Sequence, residues 1–307
     1  MDAIDTHAHV YPAAYLDMLE EAGVDPQSTA IARNLRADST TEDLDNRLHW
    51  MDEAGVETQI LAVTPQSPVD STTTTWINDE YARLVEAHPG RFLAYGALPL
   101  NDVPAAVNEV PLIAERGFLG VSLPAHYDGV TLADSSLDPL WEALNSHGMM
   151  VNIHPTGAGL CSPLITDHHL EWVNGAPMED ATAALHLLKA DVPGRFERLR
   201  FHIAHLGGDL AFLFQRIEDN YTDWEAFPSS PQRALRRMYF DAANFHEPAL
   251  RLAMESYGNT QVFAGSDFPY FQEDKYVRAF NYIRTSRLSP LQKEQVLHDN
   301  ARAALGI

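Results

Sequence analysis

Cysteine and lysine are almost missing from this 307-residue sequence, cations as a whole are in deficit, and long apolar runs are absent. The one cysteine, Cys161, cannot close an intramolecular disulfide, and the opening MDAIDTHAHVYP has neither the basic nor the apolar region of a secretory leader. A cytoplasmic protein is expected. No apolar stretch approaches the ~18 residues that suggest a membrane span, so no membrane partner is expected. Lys and Arg number 21 against 43 Asp and Glu, a formal net charge of −22. That balance argues against nucleic acid, whose binding draws on basic patches. It would also repel an anionic substrate at long range, so such a substrate needs a local cation, either a metal or selected arginines.

What is present is ordinary in amount: 45% apolar and 21% charged residues, enough for a sizeable core. The length suits one β/α barrel of typically ~250 residues with insertions, so residues 1–307 are expected to form one domain. Short β-rich runs alternate with longer helical patterns. The strand candidates are Ala3 to His7, Glu57 to Thr64, Phe92 to Pro99, Phe118 to Pro124, Met150 to Pro155, Leu199 to Leu206, Met238 to Asn244 and Gln261 to Pro269. Between them, Thr41 to Ala54 places Leu44, Leu48 and Met51 on one helical face, with Gly55 as its stop. Ser289 to Leu305 opens with Ser289 as N-cap, Pro290 at the first helical position and Gln292 completing a capping box. Eight such units predict a (β/α)8 barrel. A doubly wound sheet uses the same local signals, but a barrel gathers reactive groups from several strand ends at one mouth.

The polar residues follow that barrel rule. The first strand ends in His7 and His9, two residues apart and therefore on one side of an extended chain. The fifth ends on His154, the sixth on His205 and the eighth on Asp267. Imidazole with carboxylate suits a divalent transition ion such as zinc, and an open coordination position makes such a site catalytic. Separate core histidines would have to reach the mouth by coincidence.

The motifs HAH, NIHP, AHLGG and GSDFPY, in that order on strands one, five, six and eight, resemble the amidohydrolase superfamily. The resemblance is closest to the branch of the aminocarboxymuconate semialdehyde and 6-methylsalicylate decarboxylases, and it extends through GRFLAYGALPL, GFLGVSLPAH, EWVNGAPMED, RRMYFDAANFHEPAL and DNARAALGI. It implies that His7, His9, His154 and Asp267 are metal ligands and that His205 is the catalytic histidine beside the metal, with Asp267 sharing the proton work. It implies zinc, or in some members manganese. Binuclear relatives commonly bridge two ions with a lysine on the fourth strand. The only lysines here are Lys189, Lys275 and Lys293, none on an expected strand, so one ion per chain is expected.

The same resemblance makes Trp172 a pocket residue. It makes Arg216, eleven residues after His205, the arginine that reaches the neighbouring subunit's substrate carboxylate in a homodimer. Arg33 and Arg36 are weaker anchors. His126 sits near the mouth, His168 and His169 read as solvated, Cys161 as an inert thiol, and His202 as structural, turned toward the surrounding helices. The segments Tyr11 to Thr40 and Thr156 to Asp180 are expected to wall the substrate site. The resemblance favours a decarboxylase acting on a small aromatic or unsaturated carboxylic acid. The metal residues themselves also allow a hydrolase, and a non-catalytic barrel holding a metal for stability is the third reading.

Overall fold

In the computed structural model, which describes residues 2–307, all eight expected strands are present. They are β1 (Ala3–His9), β2 (Val56–Ala62), β3 (Phe92–Ala94), β4 (Gly120–Pro124), β5 (Met150–His154), β6 (Arg200–Ile203), β7 (Tyr239–Asp241) and β8 (Val262–Phe263). The strands pair in parallel and in chain order, β1 to β3 in one run and β4 to β8 in another. Single parallel bridges, Gly96 to Val121 and Ala8 to Phe268, join the two runs, so the ring closes as a (β/α)8 barrel. Parallel strands need crossovers, and the helices that supply them cover the outside of the ring. Hence β1, β4 and β5 are buried along their whole length, one face toward the barrel axis and the other toward helices.

β1 runs longer than expected, through His9; β4 ends at Pro124 as expected but starts at Gly120, and the other strands stop earlier than their apolar runs. The run Gln261 to Pro269 keeps strand geometry only at Val262–Phe263, because Ser266 beyond it is captured by Asp5 of β1, its N–H and hydroxyl donating over 3.0 and 2.6 Å. The helix Thr41–Ala54 has its expected bounds, capped by Thr40 and ending before Gly55. Ser289 and Gln292 form the expected capping box, but the helix behind it widens to π geometry over Gln295–Asp299. The Ala264 N–H donates to the Val296 carbonyl over 2.8 Å, and Asn300 donates to the Asn259 and Val262 carbonyls. These ties to β8 and its flanks take a helical acceptor out of the regular ladder.

One side-chain direction differs from expectation. His202 points into the barrel, fully buried, with Nε2 3.1 Å from Asp241 and Nδ1 3.2 and 3.4 Å from Asn152 and Tyr95. Alternation counted back from His205 fails because β6 ends at Ile203, after which the backbone turns, with His205 itself at φ 51°.

Candidate active site

Alternation along β1 sends His7 and His9 together into the barrel mouth, where His154, the last residue of β5, meets them. Their ring centroids lie 4.8 to 5.1 Å apart. Asp267 lies beyond the end of β8 with φ 58°, a left-handed backbone that costs a non-glycine residue on the order of 1–3 kcal/mol. Its N–H donates to the His7 carbonyl over 2.8 Å, so the β1 backbone holds the strained turn in place. Beneath it, buried Arg47 donates to the His9 carbonyl and to Gln59, and Gln59 donates to Asp5, which fixes β1 from the other side.

Each ligand imidazole has one nitrogen engaged. Nδ1 of His7 is 3.0 Å from Asp241 Oδ2, Nδ1 of His9 is 3.2 Å from the Ala62 carbonyl, and Nδ1 of His154 is 2.8 Å from the Pro155 carbonyl. Carbonyl and carboxylate oxygens only accept, so this hydrogen-bond network assigns the proton to each Nδ1 and a lone pair to each Nε2. Nε2 of His7 and of His154 is buried without a hydrogen-bond partner. Nε2 of His9 and of His7 lies 3.2 and 3.4 Å from Asp267 Oδ1. Lone pairs facing a carboxylate repel unless a cation lies among them. The four donor atoms fall within 4.8 Å of one another, near the span of about 4 Å across a first-row metal's donor shell. His7, His9, His154 and Asp267 therefore fit a divalent metal ion, as the sequence led us to expect.

Electrostatics agree with ligand chemistry. Burial, helped by the neighbouring imidazoles, holds His154 well below the ordinary histidine range, and burial lowers His9 as well, so both stay neutral. Burial works against ionisation of Asp267, but the hydrogen bond and charge of protonated His205 oppose it and hold the carboxyl below its usual range, so the carboxylate stays ionised.

His205 stands beside the cluster, its Nε2 3.5 Å from Asp267 Oδ2 and its Nδ1 2.8 Å from Asp180 Oδ2. Burial lowers its basicity, but Asp180 and Asp267 more than compensate and raise it well above the usual value. A protonated imidazole at the mouth can release a proton into a substrate. Asp180 and Asp241 were not singled out in the sequence. Among 43 acidic residues nothing local marks them, since their histidine partners lie 25 to 234 positions away. Asp241 accepts from His7, His202 and the backbone N–H groups of His205 and Ala243, which makes it the hub beneath the site.

A cavity of about 400 Å³ opens onto His154, His205 and Asp267, walled by Trp172, Phe245, Tyr270, Phe271, Ile31 and Pro177. Trp172 lines it, tilted over Tyr270 at a 5.8 Å centroid distance. The first long loop contributes Ile31, and the second contributes Trp172 and the start of the helix Ala176–Lys189. No arginine or lysine lines this cavity among the described residues. Arg33 is paired with Asp17 and Glu20, and Arg36 with Glu42 and Asp43, and neither lines this cavity. Arg216 is exposed on the helix Phe214–Trp224, outside the cavity. His126 is half-buried, 3.3 Å from the Thr156 hydroxyl, and lines a second cavity of about 960 Å³ beyond Trp172. His168, His169 and Cys161 are exposed.

A closed parallel barrel with a buried three-histidine, one-carboxylate cluster at the C-terminal mouth of its strands defines a metal-binding β/α-barrel enzyme. The chain belongs to the amidohydrolase family, whose model matches residues 4–307. It is 28% identical over 238 residues to 2-amino-3-carboxymuconate-6-semialdehyde decarboxylase of Dictyostelium discoideum, a match covering 76% of this chain and 66% of that protein. It is likewise 28% identical over 320 residues to 6-methylsalicylic acid decarboxylase of Penicillium expansum, covering 96% and 94%. The fold matches dihydroxybenzoic acid decarboxylase of a Polaromonas species, solved with manganese and 2-nitroresorcinol, at a TM-score of 0.83 and 21% identity over 99% of this chain and 97% of the other.

Proposed function

We propose that residues 1–307 form one metal-dependent carboxy-lyase domain that removes carbon dioxide, without oxidation, from a small aromatic or unsaturated carboxylic acid resembling a salicylate or carboxymuconate. The observation that carries this reading is the metal cluster and His205 facing an aromatic-walled cavity that supplies no other cation among the described residues. The decarboxylases named above, at 28% identity, support it. Three imidazoles and one carboxylate suit zinc, one ion per chain, and also accept manganese. No helix of the described residues is long and apolar enough to cross a membrane, and the reading places the enzyme in the cytoplasm.

When bound, the ion supplies Lewis acidity to the substrate carboxylate and an adjacent oxygen. Trp172, Phe245 and Phe271 hold the ring and exclude water. His205 Nε2 gives its proton to the carbon bearing the carboxylate, the bond to that carboxylate breaks, and its electron pair restores the ring as carbon dioxide leaves. The transferred proton stays on the product, so His205 Nε2 takes its next proton from solvent, and ionised Asp267, 3.5 Å away, favours that reprotonation. Incubation with salicylates, dihydroxybenzoates and muconate acids should release carbon dioxide. Hydrolysis of lactones or amides without carbon dioxide release from any acid would replace this reading with a hydrolase.

The Trp172 wall depends on Gly157. Its φ is +78°, and a Cβ there would lie 2.3 Å from the indole ring. Gly157→Ala should therefore displace Trp172 and raise KM about 5- to 30-fold, the loss of roughly 1–2 kcal/mol of aromatic contact, with metal content unchanged. Steady-state kinetics with metal analysis checks this.

We further propose a homodimer in which Arg216 of one subunit reaches the substrate carboxylate of its partner, since a bidentate guanidinium suits that anion on a chain of charge −22. Inactive Arg216→Ala and inactive His154→Ala, mixed under subunit exchange, should regain partial activity. A mixture that stays inactive after proven exchange removes Arg216 from the partner's site.

A further inference from the structure

Asp180 is a fully buried acid on the helix Ala176–Lys189 whose only side-chain bond among the described residues is to His205 Nδ1, at 2.8 Å. Its other oxygen, Oδ1, is buried with no partner. Desolvating a carboxylate for one contact is costly, and burial pushes Asp180 up to about 7 even with His205 lowering it. The adjacent acid is used differently. Glu179 accepts from the Thr156 N–H and hydroxyl and from the Leu160 N–H, tying down the loop after β5.

The His205 backbone also needs outside support. His205, Leu206, Gly207 and Gly208 are four successive residues at positive φ, a conformation that favours glycine and is strained for the first two. At Gly208 a Cβ would lie 1.9 Å from the Pro177 carbonyl, so this loop packs directly on the first turn of the helix that carries Asp180. The same helix thus meets His205 twice, once through backbone contact and once through the carboxylate. Asp241 secures only the His205 main chain, accepting from its N–H over 3.2 Å.

We infer that Asp180 is a positioning residue, which fixes the His205 ring with Nδ1–H donated away from the site and Nε2 turned to the metal cluster and cavity. This rests on the catalytic role proposed for His205. A charge-assisted bond donated to a buried carboxylate is strong and directional, so its loss should leave the ring free to rotate about its side-chain torsions.

The test uses the metal-loaded enzyme in two arms. With 15N-labelled histidine, the native protein should show a slowly exchanging, strongly downfield imidazole N–H signal that disappears both in His205→Asn and in Asp180→Ala. In near-isosteric Asp180→Asn, whose neutral amide weakens the bond, the signal should shift upfield. In the kinetic arm Asp180→Asn and Asp180→Ala should lower kcat about 10- to 100-fold, as when an orienting hydrogen-bond partner is lost, with KM within about twofold and metal content unchanged. If Asp180→Ala does not fold, Asp180→Asn decides both arms. A signal unchanged in the variants, or a kcat within twofold of native, overturns the assignment. If the native enzyme turns over no acid, the decarboxylase reading fails, and the N–H signal alone decides whether Asp180 holds His205.

Discussion

Replacing His154 with alanine should strip the metal and abolish turnover together, with activity falling at least about 10³-fold and occupancy below about a tenth of an ion per chain, because a first-row metal held by four donors tolerates the loss of one poorly. The geometry makes the expectation specific. Nε2 of His154 is buried, unpartnered and within 4.8 Å of the other three donors, so the ring has no hydrogen-bonding alternative at that atom. Native protein treated with a chelator should behave similarly and also lose thermal stability. An ion present at about 1,000 times its dissociation constant contributes about 4 kcal/mol, which for a chain of this size is on the order of 5–10 °C in Tm. Zinc or manganese should restore both properties to the native protein and neither to His154→Ala. Elemental analysis beside a melting curve measures this; two tightly held ions per chain, or full activity without any, would contradict it.

The second large effect is at His205. His205→Asn is the informative substitution, because asparagine tolerates the left-handed backbone that this position requires and does not add strain of its own. We expect kcat to fall about 10²- to 10⁴-fold, the usual range for removing a general acid, while one ion per chain is retained. The separation of the two effects follows from position: His205 Nε2 lies 3.5 Å from Asp267 Oδ2 but outside the four converging donors. Loss of metal in His205→Asn would make His205 a ligand, and near-normal turnover would remove it from the chemistry.

The parts of this site that could be read from the sequence share one property: each was marked by its place at a strand end. His7 and His9 two apart on β1, His154 at the end of β5 and Asp267 after β8 needed only the barrel rule and residue type to be grouped. Trp172 needed a family resemblance, because a tryptophan in a loop has no period or spacing to declare its target. Asp180 and Asp241 were invisible because their role is to hold imidazoles contributed by distant elements, and such partnerships exist only after the chain has folded. His202 was misplaced for a local reason, the end of β6 at Ile203, which two-residue alternation could not foresee. Arg33 and Arg36 were candidate anchors by location; in the fold they pair with Asp17, Glu20, Glu42 and Asp43 and lie outside the cavity that opens onto His205.

The proposed reaction requires a single metal centre and His205 together to protonate a ring or diene carbon that then loses its carboxylate. Turnover of an accepted acid by the metal-loaded enzyme in D2O, with carbon dioxide and isotopic product quantified together, addresses that requirement without an intermediary. We expect one carbon dioxide per product and one deuterium at the carbon that carried the carboxylate, both lost on chelation and both slowed in His205→Asn. A product that keeps its carboxylate after hydrolysis elsewhere in the molecule, or carbon dioxide release that persists without metal, would contradict this chemistry.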